Sequence, residues 1–230
     1  MSKNIVIAID GPAGSGKSTL AKFIADRLGF LYLDTGAMYR AVTYQALKEN
    51  IIDDVQSIIT LAESISLDLK YSGGKTRVFI NGEEVTDFIR TPEVNSHVSP
   101  VSKIAGVRNA LLELQRKFGS ERQLVVEGRD TTTVIFPDAD VKVFMVASVE
   151  ERADRRMKEL AESGVNISFE EVKKNLEERD KIDSSRSTAP LKKAEGALEI
   201  DSTSASVEDE FIKIVEKLVE IDKSFRSHLN

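Results

Sequence analysis

Three glycines surround one lysine in the run Gly11, Pro12, Ala13, Gly14, Ser15, Gly16, Lys17, Ser18, Thr19, and two hydroxyl residues follow that lysine. So bare a backbone is entropically costly beside a buried strand, so something must need it there. Gly11, four residues, then Gly16-Lys17-Ser18 is the spacing of a phosphate-binding loop. In such a loop the N–H groups converge on phosphate oxygens, and the following helix contributes its positive end. Lys17 can bridge the β- and γ-phosphates of a nucleoside triphosphate, and the Ser18 hydroxyl can reach Mg²⁺. The loop alone leaves GTPases, ATPases and kinases open. The Asn-Lys-x-Asp tetrapeptide by which a GTPase holds guanine does not occur in the chain.

Arginines supply the second signal. Thr35 and Arg40 lie in a segment that begins at Asp34, and Glu127-Gly128-Arg129-Asp130 forms another. Both fall at the ends of apolar runs. Ligands of a parallel sheet collect at the carboxyl ends of its strands, so both arginines face the glycine-loop edge. Two guanidiniums there suggest a second phosphorylated ligand, with surface ion pairs as the plainer reading. Arg108 lies within an apolar helical stripe of Val101, Ile104, Leu111, Leu112 and Phe118. It either meets a buried acceptor or snorkels to solvent. Arg152, Arg155 and Arg156 share one side of a helix, and Arg179 and Arg186 follow across a serine-rich stretch. A solvated helix face explains the first group. An arginine-bearing cover that excludes water and neutralises migrating charge explains both.

The elements that must position these residues are α/β in pattern. Short apolar runs without clean alternation lie at 5–9, 30–34, 124–127, 141–147 and 197–201, as expected of parallel strands buried on both faces. Helical periodicity separates them. Ser206 with Asp209, and Ser148 with Glu151, have the spacing of helix capping boxes. The stretch 66–84 reads as a hairpin with turns at Gly73-Gly74 and Asn81-Gly82, and a helix is predicted over 101–118. Residues 60–120 are thus an excursion from the sheet. The chain has 230 residues, 41% hydrophobic and 30% charged, as in a globular protein with a substantial core. A net charge of -6 argues against a general binder of nucleic acid or membrane surfaces. No cysteine and only two histidines are present, which removes disulfides, thiolate metal sites and histidine-rich ones. No apolar run suits a signal peptide or a membrane span, so a cytoplasmic protein is expected.

Together, IDGPAGSGKST, LDTGAMYR, EGRD, FPDADVKVF, ERADRRM, the ERD segment with its following arginine and APL, and LEIDST resemble the bacterial cytidylate kinases, P-loop nucleoside monophosphate kinases, over essentially the whole chain. The resemblance implies a five-stranded parallel P-loop core flanked by helices, at 1–59 and 121–230. It further implies a nucleoside-monophosphate-binding insert at 60–120 and a short lid at about 155–190. The implied reaction moves the γ-phosphoryl group of ATP, with Mg²⁺ at Ser18, to CMP or dCMP, in a monomer. Gly11 to Thr19 would hold ATP. Lys17, Arg129, Arg155, Arg156 and Arg186 would carry catalysis, with Arg155 and Arg156 facing ATP. Thr35, Arg40 and Arg129 would lie at the acceptor phosphate and sugar. Ser99, Arg108 and Asp130 would read cytosine, Arg179 and Asp183 would approach the ribose, and Arg186 the transferring phosphates. The turn at Asp201-Ser202-Thr203 matches the adenine-holding position.

One departure stands out. The family usually reads Gly-Arg-Asp, an apolar residue, then Gly-Thr-Val, and this chain has Thr132 in place of that glycine. A β-branched residue is disfavoured at a positive φ. Two rival readings share the glycine loop: a small-metabolite P-loop kinase, in which chains are usually shorter and lack the insert, and a nucleotide-dependent regulatory module, which has no need of an arginine-bearing lid.

Overall fold

A computed structural model describes residues 4–121, 123–162 and 167–229. Five parallel strands, β1 (Val6–Asp10), β2 (Leu31–Asp34), β6 (Leu124–Gly128), β7 (Val141–Val146) and β8 (Leu198–Asp201), form one sheet in the order β2-β6-β1-β7-β8. They match the five apolar runs. Successive residues of β1 alternate between two cores, which is why the runs lack polar alternation. Ile7 and Ile9 join Leu20 and Ile24 of α1 (Lys17–Leu28) and Phe211 and Ile214 of α8 (Val207–Ile221). Ala8 joins Met38 and Val42 of α2 (Thr35–Lys48), Ile58 of α3 (Val55–Ser64) and Leu111 of α5 (Ala105–Glu121) on the other face.

Register brings the chemistry to one edge. Ile9 pairs with Glu127 and Asp10 with Gly128, while Asp34 pairs with Glu127 on the other side of β6. The glycine loop, the start of α2 and the Arg129-Asp130 segment therefore leave the sheet at one level.

Within 60–120, β3 (Leu67–Ser72), β4 (Lys75–Ile80) and β5 (Glu83–Glu84) form a separate antiparallel sheet. The single helix predicted at 101–118 is instead two. The first, α4 (Pro92–Lys103), ends at Ile104, whose φ of -67 and ψ of 114 are extended, and α5 starts at Ala105. The extended residue re-aims the apolar face, so that Val94, Val98 and Val101 are buried from α4 and Val107 and Leu111 from α5. Next to it, a Cβ on Gly106 would lie 2.7 Å from Ile59 Cδ1, so this close approach of α5 to α3 has no room for a side chain.

Two helices pack over the glycine loop: α6 (Val149–Glu162) and α7 (Phe169–Ser185). Ala13, Ala153, Val172 and Leu176 form a small core among them. The 163–166 part of the expected lid lies outside the described residues. Ser206 and Asp209 make a reciprocal capping box on α8, and Ser168 and Glu171 make a second one on α7. At the start of α6, Ser148 Oγ accepts from the Glu151 N–H, but the Glu151 carboxylate is taken by Arg155. Among the described residues no helix is long and apolar enough to cross a membrane.

Candidate active site

The glycine loop joins β1 directly to α1. A Cβ on Gly11 would stand 2.4 Å from the Met145 carbonyl oxygen, so only glycine lets the loop leave the sheet so close to β7. Lys17 is buried, and its Nζ donates to the Pro12 carbonyl at 2.6 Å and to Ser15 Oγ at 3.3 Å. Burial, with repulsion from Arg129, lowers its pKa to about 7. Ser18 and Thr19 are exposed in the first turn of α1. Ser18 lies within hydrogen-bonding reach of the Tyr32 hydroxyl, which donates to Glu127 Oε1 at 2.6 Å. Among the described residues there is no group of three or more histidines or carboxylates able to hold a metal. A divalent ion here would draw its remaining ligands from phosphate oxygens and water, which suits Mg²⁺.

Across the cleft lies a cluster of guanidiniums. Arg40 pairs with Asp34 at 2.7 Å, and Arg90, from the turn Phe88–Arg90, reaches the same carboxylate oxygen at 3.2 Å. Burial alone would raise the Asp34 carboxyl, but these two arginines hold its pKa below the usual value. Arg129 Nε bonds Asp183 at 2.8 Å, Arg108 bonds Asp130, and Arg186 lies 3.5 Å from Asp130 and 3.7 Å from Asp183. Five arginines thus share three carboxylates. Arg179 adds a sixth guanidinium, whose pKa burial and the neighbouring Arg129 lower to about 10. The Nε atoms of Arg40 and Arg179 are buried with no hydrogen-bond partner among the described residues. Such an excess of buried donors is arranged to receive an anion.

Thr35 Oγ1 donates to the Glu127 carbonyl at 2.7 Å, which ties the start of α2 to β6. The Arg108 guanidinium lies 5.4 Å from the centre of the Tyr39 ring and donates to the Ser102 carbonyl at 3.1 Å. This settles the two readings of Arg108: it is buried on an acceptor and does not snorkel. Ser99 is half-buried in α4, and its carbonyl accepts from Ser102 Oγ at 2.9 Å. Arg155 is anchored beside the glycine loop. It donates to Ser202 Oγ at 3.2 Å and to the Ser202 carbonyl at 2.5 Å, and its Nη1 is 3.6 Å from where a Cβ on Gly16 would lie. Arg156 pairs with Glu159 and lies close enough to Arg179 to repel it.

The structure also brings in residues to which sequence reasoning assigned no role. Asp10, fully buried, accepts four hydrogen bonds. Oδ1 takes Thr131 N–H at 2.8 Å and Oγ1 at 2.7 Å, and Oδ2 takes Thr132 N–H at 2.7 Å and Oγ1 at 2.6 Å. Burial raises the Asp10 pKa, and these donors oppose it. Among the described residues only Asn50, Asn81 and Ala189 combine a side chain with a positive φ, so Thr132 fits this backbone without that strain. Its hydroxyl adds a bond that glycine cannot make. Arg90, Tyr32 and Asp34 complete the cleft. A signal existed for Asp10 and Asp34, each an acid closing an apolar run, but none marked Arg90.

The cytidylate kinase family model matches residues 7–223. A cytidylate kinase of Geobacillus sp. (strain WCH70) is 49% identical over 222 residues, covering 96% of this chain and 97% of that one. One from Clostridioides difficile (strain 630) is 46% identical over 216 residues, covering 94% and 98%. In shape, the chain is similar to an uncharacterized protein from Eubacterium ventriosum ATCC 27560, with a TM-score of 0.53, 13% identity, and coverage of 93% of this chain and 97% of that one. That last likeness concerns the fold alone.

Proposed function

The chain belongs to the cytidylate kinase family, and from that premise we infer that it transfers the γ-phosphoryl group of ATP to CMP and dCMP. The observation that carries the acceptor side is the arginine excess: five guanidiniums on three carboxylates, with Arg40 Nε and Arg179 Nε unpartnered. A nucleoside monophosphate brings the anion that this cluster needs.

In this reading the residues divide by the charge they meet. The glycine-loop N–H groups and Lys17 hold the β- and γ-phosphates, and Lys17 exchanges its bonds to Pro12 and Ser15 for phosphate oxygens. Arg155, fixed on Ser202, borders the donor. Arg40, Arg129, Arg179 and Arg186 hold the acceptor phosphate, with Thr35 at its edge and Asp183 turned to the ribose. Asp130 accepts from the exocyclic amine of cytosine, beside Arg108 and Ser99. Arg186 has the longer of the two contacts to Asp130, so it is the partner that yields an oxygen to the base. Mg²⁺, met by the Ser18 hydroxyl, neutralises charge on the phosphates when bound. No covalent nucleophile is needed, because phosphoryl transfer depends on positioning and charge neutralisation, and the acceptor oxygen is already ionised. Transfer is direct and in line. Closure of α6 and α7 over the cleft excludes water. The reading includes a monomer working in the cytoplasm, and size-exclusion chromatography and fractionation address those two points.

The deciding experiment is ADP release coupled to NADH oxidation across CMP, dCMP, UMP, AMP, GMP, shikimate and gluconate. CMP and dCMP should be good acceptors, UMP poor and the purines nearly inert. Equal kcat/KM for UMP and CMP would overturn the base assignment, and turnover only with a non-nucleotide acceptor would overturn the function.

A further inference from the structure

Arg152 is the most buried of the three arginines in α6, with 7% of its side chain exposed. Nη1 donates to the Ala13 carbonyl of the glycine loop at 3.0 Å, and Nε donates to the Ala147 carbonyl, just past β7, at 3.2 Å. The same Nη1 lies 2.7 Å from Asp180 Oδ2 on α7. One planar group thus touches the donor loop, the sheet edge and the lid helix.

Both partners are tightly placed. Gly14 has a φ of +76, and a Cβ there would stand 3.2 Å from Arg152 Cβ, so the loop lies directly against α6. The small apolar core of Ala13, Ala153, Val172 and Leu176 joins α7 to α6 and to the same loop, one turn before Asp180. Asp180 follows Arg179 and lies one turn before Asp183, which holds Arg129. Asp180 Oδ1 is buried without a hydrogen-bond partner among the described residues, while Oδ2 makes the ion pair with Arg152 and the carboxylate also acts on the charge of Arg129. A buried guanidinium cannot leave its acceptors cheaply. When the Ala13 carbonyl moves, Arg152 must follow, and α7 with it.

We propose that the Arg152–Asp180 pair is a positioning link through which nucleotide binding at the glycine loop sets α7, and with it Arg179 and Asp183, for the acceptor. This rests on the kinase reading above. Arg152 touches neither nucleotide in this scheme. It acts through the Ala13 carbonyl on one side and Asp180 on the other. Coupling of this kind is reciprocal: each nucleotide must tighten the other by the same factor.

The test is calorimetric titration of CMP into the full-length protein, with and without saturating Mg²⁺ and β,γ-methylene-ATP, and the reverse titration. The proteins compared are wild type, Arg152→Lys, Asp180→Asn and the double variant. Lysine keeps the charge but not the fork that spans two carbonyls and a carboxylate, and asparagine keeps the shape of Asp180. In the wild type each ligand should tighten the other by about fivefold or more. Either substitution should bring that factor below about twofold, and the double variant should go no further, as partners in one link behave. A purely structural role would weaken each ligand singly and leave the factor unchanged. Wild-type coupling that survives both substitutions, or no coupling in the wild type, overturns the link alone. A wild type that does not bind CMP overturns the functional reading and the link together.

Discussion

Thr132→Val isolates the hydroxyl that distinguishes this chain at the Asp10 cluster. Valine keeps the buried methyl and the main-chain N–H to Asp10 Oδ2, and removes only the 2.6 Å bond from Oγ1. The acceptor is a fully buried carboxylate, and no water can replace the lost donor. A hydrogen bond to a charged group is worth about 1.5–3 kcal/mol, so the variant should lose about 2 kcal/mol of stability. At this chain length that lowers Tm by roughly 4–8 °C. The loss should depend on pH, in a direction set by the raised pKa of Asp10. A carboxyl whose folded pKa exceeds its unfolded value binds protons more readily in the native state, so it weakens the fold at neutral pH and ceases to do so on acidification. Removing one donor raises that pKa further. The difference between variant and wild type should therefore be largest at neutral pH and shrink as pH falls through the folded pKa of Asp10. Urea unfolding at several pH values, with unchanged m, measures this difference. Asp10→Asn should cost more, because the amide nitrogen would meet two donors at one of its ends. A Thr132→Val loss below about 0.5 kcal/mol, or one that persists unchanged into acid, would refute the reasoning.

Further outcomes concern Lys17 and the two acceptor-site residues Arg129 and Asp130. The Lys17 amine, with its pKa lowered to about 7, must be fully charged against phosphate, so ATP binding at pH 8 should be accompanied by uptake of a proton onto Lys17, and affinity should fall as pH rises above 7. Calorimetry in two buffers of different ionisation enthalpy reads that proton, and identical heats would contradict it. In the coupled ADP-release assay Lys17→Ala should lower turnover by on the order of 10²–10³ in a folded protein. Asp130→Asn should narrow the CMP-to-UMP preference in kcat/KM, because an amide can donate to the uracil carbonyl. Arg129→Lys should weaken both acceptors alike, and a larger change in the ratio from Arg129→Lys than from Asp130→Asn would reverse these assignments.

The parallel sheet was legible because burial on both faces leaves a mark that needs no partner: Ile7, Ala8 and Ile9 are apolar in a row. The glycine loop was legible because its residues are neighbours in the chain. The helix break at Ile104 was not, since the apolar spacing runs through it and what re-aims the face is one residue in an extended conformation, whose neighbour Gly106 lies too close to Ile59 for a side chain. The same limit hid the Asp10 cluster, whose donors come from 121 and 122 positions away. It also hid Arg90, 56 positions from Asp34. The spacing of three and four puts the arginines of α6 on one side of the helix, but their depths differ. Arg152 is turned inward onto main-chain carbonyls and Arg156 outward to Glu159, a difference that periodicity of three and four residues cannot resolve.

The arginine cluster also bears on how nucleotides reach the protein. The chain as a whole carries a net charge of -6, while the cleft holds more guanidiniums than carboxylates. An anionic nucleotide is therefore repelled over most of the surface and drawn in at one place. Low-dielectric walls focus that field, so encounters are steered toward the cleft and speeded relative to random collision. Mobile ions shorten its reach to about 8 Å at physiological ionic strength, so capture slows as salt is added. The acidic exterior, which contributes nothing to the chemistry, thus narrows the ways in which a nucleotide can arrive.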